Sequence, residues 1–299
     1  MSPDLVQILL SGMALGAAYA LIALGFVVIY RSSQVFNFAH GEFLTIGAFS
    51  MLSMCNLGLP WPLALLAAMT ITGVVAAVIE RVVIRPMIGR PVFVTIILTL
   101  FIAYLLHAMV IVVWDADLHG MPTPWAMDAK VEIAGANISY NSIGAVCAGV
   151  LALGLFFVLL RYTKLGVGMR ATNADQEVAL ALGIPVGRIF MSTWFLAGMY
   201  AALAGVFLSA YPSQLDANLS FSALRAFPAI IVGGLTSPVG AAVAGVILGL
   251  AEVLAQRYVE PMLGGFGRNI HEVFPYVIMI AFLMVRPYGL FGEKEVSRV

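Results

Sequence analysis

Eight stretches of roughly 20 mostly apolar residues recur along this chain, near 5–30, 37–56, 61–83, 92–114, 140–160, 189–211, 224–256 and 270–286, about the length of helix that crosses the hydrocarbon core of a bilayer. In lipid every backbone N–H and C=O must be satisfied within the protein, and a helix does this inside a single segment. The expected fold is therefore all-α: a polytopic transmembrane helical bundle of about eight membrane segments, forming one domain over residues 1–299. Composition argues against a soluble alternative. Hydrophobic residues make up 62% of the chain and charged residues 10%, against about 45–50% and about 25% in ordinary soluble domains. The formal net charge of +0 gives no reason to expect a nucleic-acid partner. Cys55 and Cys147 are far apart in apolar runs and read as small hydrophobic residues. No Lys or Arg precedes Arg31, so the first run lacks the basic start of a signal peptide and reads as a retained membrane helix.

Breaks fall at Arg31, Pro60, Arg85 and Pro86, Pro122 to Pro124, Arg161 to Arg188, and Pro212. Basic residues orient the bundle, because cytoplasmic loops carry excess Lys and Arg. With the 161–188 loop inside, Arg31, Arg81, Arg85, Arg90, Arg161, Lys164, Arg170, Arg188, Arg286, Lys294 and Arg298 lie inside, and Lys130, Arg225, Arg257 and Arg268 lie outside. The 115–139 segment, with Asp115, Asp117, Asp128 and Glu132 against one Lys, is then an external loop. The N-terminus is outside, and the C-terminus inside if the seventh run returns to its starting side. Gly12 with Gly16, and Gly245 with Gly249, show the small-xxx-small spacing that lets helices approach closely in lipid.

Three stretches carry polar chemistry. Asn37, His40 and Glu42 sit in an otherwise apolar run, where ionisable groups are costly and usually face a cavity or a partner. They either line a substrate path or pair to fix a broken helix. A boundary role is also open, with Asn37 capping a helix whose first turn contains Glu42. The 161–188 loop contains a short helix expected from Thr172 to Leu182, capped by Thr172 or Asn173 and stopped by Gly183 and Pro185. Val178 and Leu182 give it an apolar stripe, suited to a lipid surface or, given its small area, a partner's groove. In the third stretch, Gly233, Gly234, Ser237, Pro238 and Gly240 interrupt a run too long for one crossing. It reads as two short helices joined by a kink or re-entrant turn, either contacting substrate near the midplane or forming a packed hairpin. The breaks at 37–47 and 227–240 could also be matching halves of an inverted repeat.

Tyr19-Ala-Leu-Ile-Ala-Leu-Gly followed by Asn37-Phe-Ala-His-Gly-Glu-Phe resembles the N-terminal signature of branched-chain amino acid ABC importer permeases. Glu80-Arg81 with Arg85-Pro86, the glycine series from Gly233 to Gly249, and Arg286-Pro-Tyr-Gly-Leu-Phe-Gly resemble that family in order and spacing. The likeness runs from about residue 5 to 293 and fits the shorter, LivH type of permease best. It implies a multi-pass protein of the bacterial inner membrane. Its implied partners are a second related permease, two ATPase subunits and an extracytoplasmic binding protein. The sequence has no GxxxxGK[ST] phosphate loop, so ATP and its Mg would be held by the ATPases, with no cofactor, metal or catalytic residue in this chain.

In ABC importers a coupling helix carries Glu, Ala and, four residues after that Ala, Gly. Glu177, Ala179 and Gly183 keep this spacing, while Val178 replaces the usual second Ala and the Ile-x-Leu-Pro ending is absent. The coupling set implied here is Arg170, Asp175, Glu177, Ala179, Gly183 and Pro185. The translocation or broken-helix set is Asn37, His40, Glu42, Gly233, Gly234, Ser237, Pro238 and Gly240. The implied cargo is a branched-chain or other hydrophobic amino acid; urea, amides and aromatic acids are handled by related permeases. A stand-alone channel or secondary transporter would share the broken helices but gives no reason for a coupling-type helix. An intramembrane enzyme would need a nucleophile motif that is absent.

Overall fold

A computed structural model of the chain describes residues 3–292 except 88, 127, 128, 134, 211, 212, 268 and 288. Asp128, Arg268, Lys294 and Arg298 of the charge argument, and the Pro212 break, therefore lie outside the described residues.

The eight apolar runs appear as helices, with the long seventh run divided in two. α1 (Pro3–Ser33), α2 (His40–Asn56), α3 (Trp61–Ile79) and α4 (Val92–Trp114) come first. A π-turn at Glu80–Ile84 and a 3-10 turn at Arg85–Met87 extend α3. A small antiparallel hairpin follows, β1 (Lys130–Ile133) and β2 (Ala136–Ser139), an addition to the expected all-helical pattern within the 115–139 segment. Next are α5 (Tyr140–Tyr162), α6 (Lys164–Ala174), α7 (Gln176–Ala181) and α8 (Val186–Leu208). A 3-10 turn at Ala217–Phe221 leads into α9 (Ser222–Gly233), followed by α10 (Pro238–Leu254), the short α11 (Glu260–Met262) and α12 (Ile270–Val285). Among the described residues six helices are long and apolar enough to span a membrane, while the 217–233 segment and α12 are shorter apolar helices. α2 is also short, at 17 residues.

Burial separates the centre of the bundle from its rim. The most apolar stretch of α1 is 83% buried and that of α4 only 17%. Tyr19, Phe43 and Trp194, from α1, α2 and α8, are fully enclosed. Phe93 and Val112 on α4 and Leu151 on α5 are exposed, as expected of helices that are apolar all round and solvated by lipid.

The centre is held by glycine seams. α1 and α10 run antiparallel, and a Cβ placed on Gly12 would lie 3.0 Å from Leu250 Cα, one on Gly16 2.7 Å from Val246 Cα, and one on Gly245 2.5 Å from Ala20 N. Both predicted small-residue pairs thus meet each other within this chain. Tyr19 Oη donates a buried 2.7 Å hydrogen bond to Glu252 Oε2 across the same seam. α3 and α8 are equally close, since a Cβ on Gly198 would stand 2.8 Å from the Thr72 carbonyl oxygen.

The residues sorted by charge also sort in space. Arg31, the Ser237–Pro238 turn and Phe291 gather around one cavity at one end, and Arg85 Nη2 donates to the Gly187 carbonyl there, at 2.5 Å. The 115–139 segment closes the opposite end: Trp61 Nε1 donates to the Pro122 carbonyl at 3.1 Å, and His119 pairs with Leu215 through its backbone. Asp4 lies 3.6 Å from Arg257, placing the start of α1 on this acidic end, away from Arg31. The seventh run goes down as α9 to the basic end and returns as α10 to the acidic end, beside Asp4, and α12 then crosses to the basic end.

Candidate functional site

Two chain breaks meet inside the bundle. α1 ends where Gln34 adopts a positive φ of 56°, and residues 34–39 then run back alongside it without helix. The Thr99 hydroxyl on α4 donates to the Phe36 carbonyl at 3.2 Å, and its oxygen accepts from the Phe38 N–H at 3.3 Å. Asn37 Oδ1 accepts from the Ala39 N–H at 3.1 Å, fixing the turn that starts α2. Ala39 is the cap residue, so Asn37 shapes the approach to the helix and does not cap it. His40 begins α2 level with Gly25, where an added Cβ would be 2.5 Å from its ring. At 1.5 Å per residue this start is about 12 Å inside the Ser33 end of α1.

The second break arrives from the acidic end. The 217–221 turn delivers Ser220 to α2, so that a Cβ on Gly41 would lie 2.8 Å from the Ser220 carbonyl oxygen. The 12 residues of α9 then cover about 18 Å, short of the about 30 Å of a hydrocarbon core. Its head therefore lies within the bundle, beside the head of α2. The segment that meets the 37–47 break in space is this 217–221 turn.

Between these two heads and α4 lies a cavity of about 340 Å³, within the range of small-molecule sites. Its walls include Phe26, Phe227 and Tyr104, and its polar edge is Glu42 with Ser220 and His107. His107 Nδ1 is 3.5 Å from Glu42 Oε1. The side is open between α4 and α9, where Tyr104 and Phe221 are 75% and 60% exposed.

Of the three predicted polar residues in this stretch, only Glu42 faces the cavity. His40 is fully buried behind it, its ring edge-on to Phe26 at 4.5 Å between centroids. Asn37, His40 and Glu42 do not pair with one another. Sequence reasoning missed His107, although no Asp, Glu, Lys or Arg and no other His lies between Val92 and Trp114.

Gly233, Gly234, Ser237, Pro238 and Gly240 lie at the basic end and not around this cavity. Gly234, with φ 101°, turns the chain between α9 and α10. Ser237 Oγ accepts from the Gly240 N–H at 3.0 Å, and Pro238 starts α10, a position where its missing N–H costs nothing. The C-terminal strap completes the turn, with Leu290 N donating to the Val232 carbonyl at 2.7 Å. Close backbone approach explains the glycines, since a Cβ on Gly234 would lie 2.7 Å from Gly292 N.

The predicted coupling segment lies beside that turn, with one correction. The expected 172–182 helix is instead two helices, and Thr172 is buried within α6. The break is at Asp175, whose Oδ1 accepts from the N–H groups of Glu177 and Val178 at 2.9 and 3.0 Å, satisfying the free amides of α7. Gly183, with φ 79°, closes α7 as expected: Gly183 N donates to the Leu180 carbonyl and Ile184 N to that of Ala179. Pro185 then caps α8, which starts at Val186. Ala179 packs inward on Val186 and Phe190, while Val178, Leu180 and Leu182 point outward, 53%, 59% and 75% exposed.

This segment is tied to the end of α1. With its carboxamide turned so that nitrogen faces the Arg31 carbonyl and oxygen faces Arg31 Nε, Asn173 donates to that carbonyl at 2.6 Å and accepts from Nε at 3.0 Å, and Gln176 Nε2 donates to the Ser32 carbonyl at 3.4 Å. Arg170 is anchored on the Leu160 carbonyl of α5. Glu80, 1% exposed, is held by Arg85 through two bonds of 3.0 and 2.7 Å.

A bundle of membrane-length helices, with broken helices around a side-opening cavity and a capped amphipathic turn at its basic end, defines a polytopic transport permease. A family model described as "Branched-chain amino acid transport system / permease component" matches residues 8–283, and the chain belongs to that permease family. It is 27% identical over 308 residues to the high-affinity branched-chain amino acid transport system permease protein LivH of Escherichia coli K12, covering 98% of this chain and 97% of the relative. It is 29% identical over 308 residues to BraD of Pseudomonas aeruginosa PAO1, covering 98% of each. Among solved structures, PsaBC from Streptococcus pneumoniae in complex with Fab superposes with a TM-score of 0.50 at 11% identity, over 95% of this chain and 92% of that one. The last likeness concerns the fold alone.

Proposed function

We propose that this chain is one permease subunit of an ATP-driven importer of branched-chain or similar hydrophobic amino acids in the bacterial inner membrane. The proposed assembly contains a second related permease, two ATPase subunits that bind ATP and Mg, and an extracytoplasmic binding protein. The observation that carries the reading is α7. It is rigidly capped by Asp175 and closed by Gly183, yet leaves Val178, Leu180 and Leu182 uncovered at the basic end. So short an apolar face binds lipid weakly and fits a partner's groove. Arg170, Glu177 and Pro185 frame this docking turn.

On this reading, closure of the ATPase pair displaces α6 and α7. The Asn173–Arg31 and Gln176–Ser32 bonds pass that displacement to α1, and the α1–α10 seam carries it to the α9–α10 turn. The cavity beside Glu42 forms this subunit's half of the path and opens alternately to each side.

The test is purification of the tagged chain from its native membrane in mild detergent, with mass spectrometry of what accompanies it, and ATP-driven leucine uptake by the reconstituted assembly. Two ATPases and a second permease are expected. Isolation of the chain alone, or only with copies of itself, would overturn the reading in favour of a channel or secondary transporter.

A further inference from the structure

The cavity between α2, α4 and α9 combines features that belong together in the recognition of an amine. Glu42 is placed in its wall by a helix whose first twelve residues are all buried, so the carboxylate is held by packed backbone and not by a mobile loop. Its side chain is 9% exposed. His107 approaches Oε1 from one side, the Ser220 hydroxyl lies beside the carboxylate as a donor, and Oε2 meets no partner at good geometry among the described residues. A carboxylate so enclosed is costly to keep, and such groups in membrane segments are retained where they meet a counter-charge. The rest of the wall is apolar and rich in rings, with Phe26, Phe221, Phe227 and Tyr104, the surroundings in which aromatic faces add attraction for a cation. Among the described residues no Lys or Arg lines the cavity, so no basic side chain there competes with a ligand's ammonium for Glu42.

We propose that Glu42 receives the ammonium group of the cargo, with the ring-lined wall holding its apolar skeleton. The permease itself then discriminates, admitting amine-bearing cargo and disfavouring acids or uncharged amides of the same shape. This rests on the importer reading above and adds to it a site and a selectivity within this subunit.

The measurement is equilibrium binding of radiolabelled leucine to the permease–ATPase assembly in nanodiscs, without binding protein. The competitors are 3-methylbutylamine, which keeps the ammonium and the branched skeleton, and 4-methylpentanoate, which keeps the skeleton and the carboxylate. The amine should displace leucine within about tenfold of leucine's own concentration, the acid should fail at about a hundredfold excess, and Glu42→Gln should weaken leucine binding at least tenfold, a loss on the order of a charge-assisted hydrogen bond. Glu42→Asp, which keeps the charge, should recover part of the affinity. The competition series uses the unmodified assembly, so it decides the matter even where a Glu42 variant does not assemble. Equal competition by acid and amine, or Glu42→Gln binding leucine as the parent does, overturns the proposal. So does absence of saturable binding in an assembly that imports leucine, and the importer reading then stands. Amine-selective binding in a complete assembly that imports nothing would leave the site in place and sink the importer reading.

Discussion

The α1–α10 seam gives the sharpest quantitative test of the fold. In Gly16→Ala the new Cβ would lie 2.7 Å from Val246 Cα and 2.9 Å from its carbonyl oxygen, whereas non-bonded carbons settle at about 3.5–4.0 Å. The helices must therefore part locally by about 1 Å, and overpacking of that kind costs about 1–3 kcal/mol. The same movement stretches the buried 2.7 Å Tyr19–Glu252 bond, and a buried polar group left unpaired costs a further 1–3 kcal/mol or so. Alanine's better helix propensity returns about 1 kcal/mol. The net is about 3 kcal/mol, which at about 2–4 °C per kcal/mol lowers the melting temperature by about 6–12 °C. Fluorescence-detected size exclusion after graded heating reads this directly. The control is Gly154→Ala on α5, where nothing lies within 4 Å of the new methyl, and stability should hold or rise slightly. Pairing Gly16→Ala with Gly245→Ala should cost less than the sum, because the two substitutions part the same seam. A Gly16→Ala protein as stable as its parent, or a Gly154→Ala protein equally damaged, would refute the reasoning.

Arg85→Ala should destabilise by about 3–5 kcal/mol, because it strands buried Glu80 without its bidentate partner; Arg85→Lys should restore only part in the same heating assay, since an ammonium cannot reproduce the fork. Gly183→Ala meets open space but must hold a φ of 79°, costing about 1–2 kcal/mol; on the importer reading, ATP-driven uptake should fall by more than thermostability does. Val178→Asp combined with Leu182→Asp alters only exposed side chains, so stability should move by less than about 0.5 kcal/mol per site. Co-purification of the ATPases should nevertheless drop at least tenfold, and retention of both would remove α7 as the docking element.

The spans and the two ends of the bundle were legible because length, hydropathy and basic residues act locally along the chain. The glycine pairs were legible for the same reason: Gly12 with Gly16 and Gly245 with Gly249 show a one-turn spacing whose only unknown is what they face. The break at Asp175 was not. Gly166 and Gly168 read as loop, yet they sit in α6, where Gly168 has Ile189 beside it, so tertiary contact decides the helix against local propensity. Thr172, Asn173 and Asp175 are all capping types, and nothing local says which one will cap. His107 was missed because one histidine in an apolar helix carries no pattern; only the fold brings it to Glu42. The break at Ser237 and Pro238 was legible from proline's missing N–H, but Pro238 serves there as the first residue of α10, and the turn's depth was not legible. That depth depends on the C-terminal strap reaching back from Leu290 to Val232, a contact spanning nearly sixty residues.

The distribution of packing also bears on which wall of the cavity can move. α1, α10 and α9 are packed as one unit: the first two share a close glycine seam, and α9 joins α10 through a four-residue turn pinned by Leu290. α2 starts against Gly25 of α1 and presses Gly41 on Ser220, so Glu42 belongs to the same body. α4 differs. Its most apolar stretch is only 17% buried, and its side-chain hydrogen bonds to the rest of the bundle sit at Thr99, on the 36–38 segment, and at Trp114, whose Nε1 donates to Ser53 Oγ of α2 at 2.7 Å. Bistable motion needs a boundary where few contacts must be exchanged, and in this cavity that boundary runs between α4 and α9, along the open side. On the importer reading, therefore, Glu42 stays with the core that the coupling segment grips through Arg31, while His107 rides on the wall that moves. Opening the path would separate the two side chains and uncover the carboxylate, and closing it would bring His107 back to within 3.5 Å of Glu42.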